Sequence, residues 1–273
     1  MRPSAAILAV HALAATAPLR PAALPRPRLR AAIRLRAGAS ASPQPPRVEL
    51  FTSDMCPYAQ RVWICLEELG EPYAKRHIDL RDKPAWYTQE VHPEGKVPAV
   101  RLGDRVVVES LAINRALTDR AGERGFVLAG AGEQERARVE EWNRHLDERL
   151  NPAFFTLLMH KGDGGSPSPE DARAALDAAL RRYEDDLEGP FLLGEPFTLA
   201  DVAAAPFFER MDVALRHFKG ADPLEAFPRT RAWFERVMAR PSVAATRRPE
   251  DALIALYERF IQANYAFGGL NRN

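Results

Sequence analysis

Residues 51–61, FTSDMCPYAQR, change from a strand pattern to a helix pattern at a cysteine. Pro57 is suited to the first position of a helix, because the N–H that proline lacks would be unpaired there. Cys56 is therefore predicted at a helix N-terminus, where free amides and the helix dipole favour the thiolate. We predict a lowered pKa and a reactive thiol. The alternative is that Cys56 is a small buried apolar residue, which the flanking strand and proline signals disfavour.

The first 46 residues differ in composition from the rest of the chain. They contain seven arginines, no acidic residue and many Ala, Pro and Ser, which is typical of an organelle transit peptide. The apolar run 7–19 is too short to span a bilayer and resembles the hydrophobic part of a signal peptide. We predict a cleavable two-part leader for import into a plastid. A mitochondrial or cytosolic location, and a tail without a targeting role, are the alternatives.

The remaining residues are acidic. Subtracting the seven leader arginines from 38 Lys and Arg leaves 31, against 37 Asp and Glu, a net charge of about −6. This charge argues against nucleic-acid binding, which needs a basic surface. No later apolar run has membrane-spanning length, and the Cys and His residues lack metal-site spacing. We therefore expect no nucleic-acid partner, no membrane partner and no metal.

Cys65 is the second cysteine of the chain. It follows Cys56 by nine positions on the same predicted helix, which places it on the opposite face and roughly 13 Å away. That separation is too large for a disulfide. Cys65 belongs to an apolar stripe with Val62, Leu66 and Leu69, so we predict that it is part of the core.

Residues 47–120 alternate between strand and helix signals. Gly70 is a helix stop, and Gly103-Asp104 is a two-residue hairpin signal. Strands are predicted at 48–52, 73–80, 97–102 and 105–108, and helices at 57–69, 84–87 and 110–120. The order βαβαββα, with the parallel strands first and an antiparallel hairpin last, is typical of a thioredoxin-like α/β domain.

The second half of the chain has only helix signals. Residues 121–132 are rich in Gly and charge and are predicted to be a linker, and residues 133–273 an all-helical domain. Capping boxes begin at Ser168 and Thr198, and Thr198 and Asp201 are expected to act in folding. Helices are predicted at 133–159 with a bend near Asn151-Pro152, at 168–187, from 198 through Pro206, at 228–238 and at 250–261.

This combination of domains resembles the glutathione transferases from about residue 48 to 262. Six motifs narrow the resemblance: CPYAQRVWI at 56–64, DLRDKPAWY at 79–87, PEGKVPA at 93–99, VESL at 108–111, GPFLLG at 189–194 and PFFER at 206–210. They resemble the motifs of the lambda class, and the omega class and the dehydroascorbate reductases are close neighbours. LEE at 66–68 and PEGK at 93–96 lean toward the reductases.

The resemblance implies that Cys56 is the catalytic residue and that glutathione is a co-substrate, with no bound cofactor. Glu109 and Ser110 would bind the γ-glutamyl end, and Ser110 begins a helix whose amides suit a carboxylate. The alternative for Ser110 is a simple helix cap. A cis Val97-Pro98 bond would leave the Val97 backbone free to pair with the cysteinyl part of glutathione.

Five further residues are assigned through the same resemblance. Tyr58, Lys83 and Lys96 would contact glutathione, and the alternative for Lys83 is a solvated surface residue. Phe208 and Arg210 would line an acceptor pocket, and a structural ion pair is the alternative for Arg210.

Cys-x-x-Ala replaces Cys-x-x-Cys at 56–59, so a resolving thiol is absent from its usual place. We therefore predict a thioltransferase that forms a mixed disulfide with glutathione and acts on small, aromatic glutathionylated acceptors. The alternatives are a dehydroascorbate reductase and a non-catalytic carrier of glutathione conjugates. The protein would be a monomer or a homodimer.

Overall fold

The structure, a computed structural model, describes residues 48–162 and 167–263. The predicted leader lies outside these residues. Within the described ranges, no helix is both long and apolar enough to cross a membrane.

A four-stranded mixed sheet forms the first part of the fold, in the order β2-β1-β3-β4. Strand β1 pairs in parallel with β2 and antiparallel with β3, and β3 forms an antiparallel hairpin with β4. Valine, leucine and phenylalanine in β1 are buried, as expected for a central strand covered by helices. The strands are β1 (Val48–Thr52), β2 (Tyr73–His77), β3 (Ala99–Leu102) and β4 (Arg105–Val108).

Three helices complete this α/β part: α1 (Pro57–Leu69), α2 (Ala85–Glu90) and α3 (Ser110–Arg120). Helix α1 ends at Gly70, whose φ of +61° lies in the left-handed region that favours glycine. The element order matches the predicted βαβαββα. Strand β2 is shorter than predicted, and the hairpin begins at Ala99 because Pro98 cannot donate a ladder hydrogen bond.

The predicted linker at 121–132 contains a helix, α4 (Gly122–Ala129). Leu128 is buried in the main core, and α4 packs on α3. Glycine and charge predicted a linker, but tertiary packing determines the conformation here.

The long predicted helix at 133–159 is present, with one irregular turn. Helix α5 (Glu133–His145) passes through a π-helical turn (Leu146–Leu150) into α6 (Asn151–Met159). The Asn151 amide donates to the Leu146 carbonyl, and Pro152 has no amide with which to continue the ordinary pattern. The irregularity therefore lies just before the predicted bend.

The remaining helices are α7 (Pro169–Asp186), α8 (Leu199–Lys219), α9 (Pro228–Ala239), α10 (Pro241–Ala244) and α11 (Glu250–Gln262). Helix α8 runs through Pro206, and many of its side chains are buried. Helix α10 is absent from the sequence prediction because four residues carry no periodic signal. A thioredoxin-like part followed by an all-helical part is thus the fold, and the predicted fold class is confirmed.

Asp201 connects three segments of the helical part. Its buried carboxylate accepts hydrogen bonds from the Thr198 amide at 2.9 Å, the Leu192 amide at 3.0 Å and Trp233 Nε1 at 2.8 Å. Burial raises the pKa of Asp201, and these donors oppose the rise. The contacts agree with the predicted folding role, because a satisfied buried polar network fixes one arrangement of the segments around it.

Candidate active site

Cys56 is the N-cap residue of α1. Its amide donates to the Ser53 carbonyl at 2.9 Å, and its carbonyl accepts from the Gln60 amide at 3.0 Å. The side chain is half-buried, and Sγ donates to the Val97 carbonyl at 3.7 Å. The predicted position at a helix N-terminus is therefore present.

The predicted lowering of the Cys56 pKa is wrong. Burial raises the pKa of the Cys56 thiol, because a thiolate loses hydration in this site. The amides of Ala59 and Tyr58 and the charges of Arg210 and Arg61 lower the pKa but do not offset burial. The helix position favours the thiolate, but less strongly than desolvation opposes it.

Cys65 is part of the core, as predicted. Its side chain is 0 % exposed and packs with the apolar residues of α1 and the sheet. Burial raises the pKa of this thiol well above its ordinary range. Cys56 is therefore the accessible thiol of the two.

The Val97-Pro98 peptide bond is cis, as the resemblance implies. The Val97 carbonyl faces the Cys56 thiol. One residue earlier, the Lys96 carbonyl accepts a hydrogen bond from the buried Tyr87 hydroxyl at 2.6 Å. Tyr87 thus anchors the segment that leads to the cis bond.

Glu109 and Ser110 lie where β4 turns into α3. Glu109 has a φ of +67°, a conformation that non-glycine residues adopt rarely, and such local strain is common at functional sites. Ser110 is buried, and its Oγ accepts from Arg61 Nη1 at 3.5 Å. Ser110 is the first residue of α3 rather than its cap, so its hydroxyl is not used to cap the helix.

Lys83 and Lys96 are exposed on the same region of the surface. Lys83 lies against Gly95, where an added Cβ would come within 2.7 Å of Lys83 Cδ. Lys96 forms an ion pair with Glu94.

His92, which the sequence analysis missed, lies buried among these charges. Burial lowers its pKa, and Glu109, Lys96 and Lys83 are among the charges that act on it. The structure therefore brings Lys83, Lys96 and Glu109 into one neighbourhood.

Tyr58 is 39 % exposed, one of the more exposed large apolar side chains. Its ring meets the ring of Phe207 edge-on at 5.1 Å, and the Arg61 guanidinium lies 5.1 Å from its centre. Burial of the hydroxyl raises the pKa of Tyr58, and Cys56 and Glu109 also raise it. Tyr58 therefore lies in the same site as these two residues.

Phe208 does not line an acceptor pocket. It is 0 % exposed and packs against Tyr183 and Trp233 in the helical core. Its neighbour Phe207 contacts Tyr58 instead. Adjacent residues on a helix point about 100° apart, so Phe208 faces the core while Phe207 faces Tyr58.

Arg210 is also not a pocket-lining residue. It is 1 % exposed and donates to Gln60 Oε1 at 2.7 Å, the Pro206 carbonyl at 2.8 Å and the Met55 carbonyl at 3.2 Å. These acceptors are neutral oxygens, so the structural ion pair that was the alternative for Arg210 is not found among the described residues either.

Arg61 is a second residue that the sequence analysis missed. It is 1 % exposed, donates to Asp147 Oδ1 at 2.7 Å and to the Ala203 carbonyl at 3.1 Å, and stacks over Phe207. A signal was present, because Arg61 precedes Cys65 by one helical turn and so shares its buried face.

In the described ranges, no group of three or more Cys, His, Asp or Glu is placed to bind a metal.

Comparisons with known proteins give matches along most of the chain. Residues 50–125 match the family described as "Glutathione S-transferase, N-terminal domain", and residues 133–236 match "Glutathione S-transferase, C-terminal domain". Glutathione S-transferase L3 of Arabidopsis thaliana is 32% identical over 77% of this chain and 86% of that protein. Glutathione S-transferase DHAR3, chloroplastic, of the same plant is 30% identical over 73% of this chain and 72% of its own length.

A solved structure gives the same result at the level of the fold. Glutathione transferase Omega 3C from Trametes versicolor superposes with a TM-score of 0.71 at 28% identity. The match covers 81% of this chain and 94% of that one. The similarity thus extends over both the sheet and the helical part.

Alkylation of the full chain by iodoacetamide should modify Cys56 and leave Cys65 unmodified in the folded protein. Because burial raises the Cys56 pKa, the thiolate forms only at higher pH, so the rate should still rise above pH about 8.5, the ordinary value for a cysteine. Peptide mass spectrometry of a pH series measures both results. A rate that levels off near neutral pH would contradict the direction of this shift.

Proposed function

This chain belongs to the glutathione S-transferase family, and we propose that it is a glutathione-dependent thioltransferase that removes glutathione from small acceptors. Enzymes of this family use glutathione as a co-substrate and carry no prosthetic cofactor. The single observation that carries the proposal is the accessible Cys56 thiol at the N-terminus of α1, beside the cis Val97-Pro98 bond. A thiol can form a disulfide with glutathione, which a serine or tyrosine hydroxyl cannot do.

The first step is attack by the Cys56 thiolate on the sulfur of a glutathionylated acceptor. A sulfur–sulfur bond forms between Cys56 and glutathione, and the bond between glutathione and the acceptor breaks. The acceptor leaves with the electron pair and takes up a proton. Although the raised pKa keeps the thiolate fraction small, a thiolate of higher pKa is intrinsically more nucleophilic.

The second step requires a thiol from outside the protein. Cys65 is the only other cysteine of the chain, and it is fully buried. A second glutathione thiolate therefore attacks the mixed disulfide, releases Cys56 as the thiolate and leaves as oxidised glutathione.

Glutathione is proposed to lie between Cys56 and the start of α3. The first amides of α3 suit its γ-glutamyl carboxylate, with the Ser110 hydroxyl beside them and the Glu109 carboxylate able to accept from the α-ammonium. The Val97 backbone would pair with the cysteinyl part. The exposed cations Lys83 and Lys96 suit the glycyl carboxylate.

The acceptor is proposed to be aromatic. The half-exposed Tyr58 ring lies two residues after Cys56 and is supported by Phe207 and Arg61. An aromatic face presented beside the reactive sulfur favours planar acceptors by stacking.

Dehydroascorbate reduction is a second candidate function. The observation in its favour is the similarity to the solved structure of Chlamydomonas reinhardtii dehydroascorbate reductase, with a TM-score of 0.64 and 25% identity over 78% of this chain. The same Cys56 thiol could carry out either reaction, so the two functions differ in the acceptor that is accommodated.

Replacing Cys56 by serine should lower turnover of hydroxyethyl disulfide with glutathione by at least about a hundredfold, because the covalent intermediate cannot form. Cys65→Ala is the matched control and should keep its activity per folded molecule. Parallel assays with dehydroascorbate and a chloronitrobenzene assign the preferred reaction. Full disulfide turnover by Cys56→Ser, or a glutathione adduct on Cys65, would refute the mechanism.

Replacing Ser110 by alanine should raise the KM for glutathione by about tenfold or more, because a hydrogen bond to a charged group contributes about 1.5–3 kcal/mol. The value of kcat should change much less. Thr118→Ala is the matched control, since it removes another buried hydroxyl from α3 at a distance from its N-terminus. An unchanged KM in Ser110→Ala, or an equal change in Thr118→Ala, would refute this placement.

Residues 1–46 are proposed to direct the protein to a plastid. Their arginine-rich, acid-free composition supports this, and one similar protein carries "chloroplastic" in its name. A fluorescent protein fused behind these residues should accumulate in plastids of a photosynthetic cell. A control fusion with the seven arginines changed to glutamine should not, and mitochondrial or diffuse cytosolic fluorescence of the first fusion would overturn the assignment.

A further inference from the structure

Arg210 has hydrogen bonds on both sides of Cys56. Nη2 donates to the carbonyl of Met55, the residue directly before Cys56, at 3.2 Å. Nη1 donates at 2.7 Å to Gln60 Oε1, and the backbone amide of Gln60 donates to the Cys56 carbonyl. The guanidinium therefore connects the loop that enters the site with the first turn of α1.

The position of Arg210 is itself fixed by the helical part. Nη1 also donates to the Pro206 carbonyl one turn earlier on α8, at 2.8 Å. Gln60 donates in turn to Thr246 Oγ1 at 3.4 Å. Helix α8 thus holds the segment around Cys56 through the Arg210 guanidinium, and Thr246 holds it through Gln60.

The charge of Arg210 is not neutralised by a direct carboxylate contact within the described ranges. Burial lowers the pKa of Arg210, as does the charge of Arg248, whereas Tyr257, Glu209 and Cys56 raise it. The Glu209 carboxylate already pairs with Arg247 at 2.7 Å. A buried cation whose hydrogen bonds go to neutral oxygens is a favourable environment for a nearby anion.

We propose that Arg210 is a positioning residue for Cys56, which fixes the backbone on both sides of the thiol and stabilises the thiolate by its charge. The inference rests on the proposed thiol mechanism and adds to it a residue on the helical part. Four groups favour the thiolate: the Arg210 and Arg61 guanidinium groups and the amides of Ala59 and Tyr58. Arg210 is the only one of them on α8.

If Arg210 only connected the two segments structurally, its positive charge would not be required. A neutral side chain of similar volume can fill the same space, whereas a buried charge loses its hydration. A variant that removes the charge of Arg210 and keeps the side-chain volume therefore distinguishes a purely structural role from stabilisation of the thiolate.

The test is the pH dependence of Cys56 alkylation by iodoacetamide in the full chain. Arg210→Met and Arg210→Gln remove the charge, and Arg210→Lys keeps it. Each neutral variant should slow alkylation at pH 7 by about five- to tenfold and move the rate curve to higher pH, because the thiolate loses a nearby cation. Arg210→Lys should return the curve toward that of the unmodified protein.

Arg248→Met is the matched control. Arg248 is also a cation close to the Cys56 loop, where it pairs with Asp54 at 3.5 Å, but the main charges that lower the pKa of the Cys56 thiol are those of Arg210 and Arg61. Its alkylation curve should be unchanged. Circular dichroism identifies the variants that fold, and one folded neutral variant is sufficient for the test.

A folded neutral variant with an unchanged alkylation curve would overturn the proposal, as would Arg210→Lys behaving like Arg210→Gln. An equal shift in Arg248→Met would also overturn it. The measurement needs no glutathione. If the neutral variants keep the unmodified alkylation curve and disulfide turnover is present, the role of Arg210 is refuted and the thioltransferase assignment stands. If disulfide turnover is absent, the thioltransferase assignment is refuted and the alkylation curves still test the role of Arg210.

Discussion

Two guanidinium groups are buried where helix α1 packs on helix α8, and each donates hydrogen bonds to oxygen atoms of the protein. Arg61 donates from α1 to the Ala203 carbonyl of α8 and to Asp147 in the π-helical turn. Arg210 donates in the opposite direction, from α8 to the segment around Cys56. A buried charge without such partners would cost several kcal/mol. The relative position of the two helices is therefore specified by polar groups as well as by apolar packing.

The same burial determines the chemistry of the thiol. Removal of water strengthens the attraction between the thiolate and the two arginines, but it also takes hydration from the thiolate. Desolvation is the larger effect, so the Cys56 pKa is raised. The arginines do not make the thiol acidic. They limit the cost of placing it beside Tyr58 and the Val97 carbonyl, in a site from which water is partly excluded.

The element order, the cis bond, the position of Cys56 and the burial of Cys65 could all be inferred from the sequence, because each depends on local pattern or on a motif match. Three features could not. The Cys56 pKa depends on how deeply the folded protein buries the thiol, which no local pattern encodes. Helix α4 forms because Leu128 packs in the core. Phe207 and Phe208 are adjacent and chemically identical, so only the rotation of α8 decides which of them reaches the site.

The count of thiols constrains the shape of the site. The chain has two cysteines, and Cys65 is fully buried, so a disulfide formed on Cys56 can be resolved only by a thiol that arrives from solvent. The site must therefore stay open on one side while its other side is anchored. Tyr58, Lys83 and Lys96 are exposed, whereas Arg210, Gln60 and Tyr87 are buried behind the thiol and the cis bond. Rigidity on the buried side keeps the sulfur in place, and openness on the other side leaves room for the second glutathione that the proposed mechanism requires.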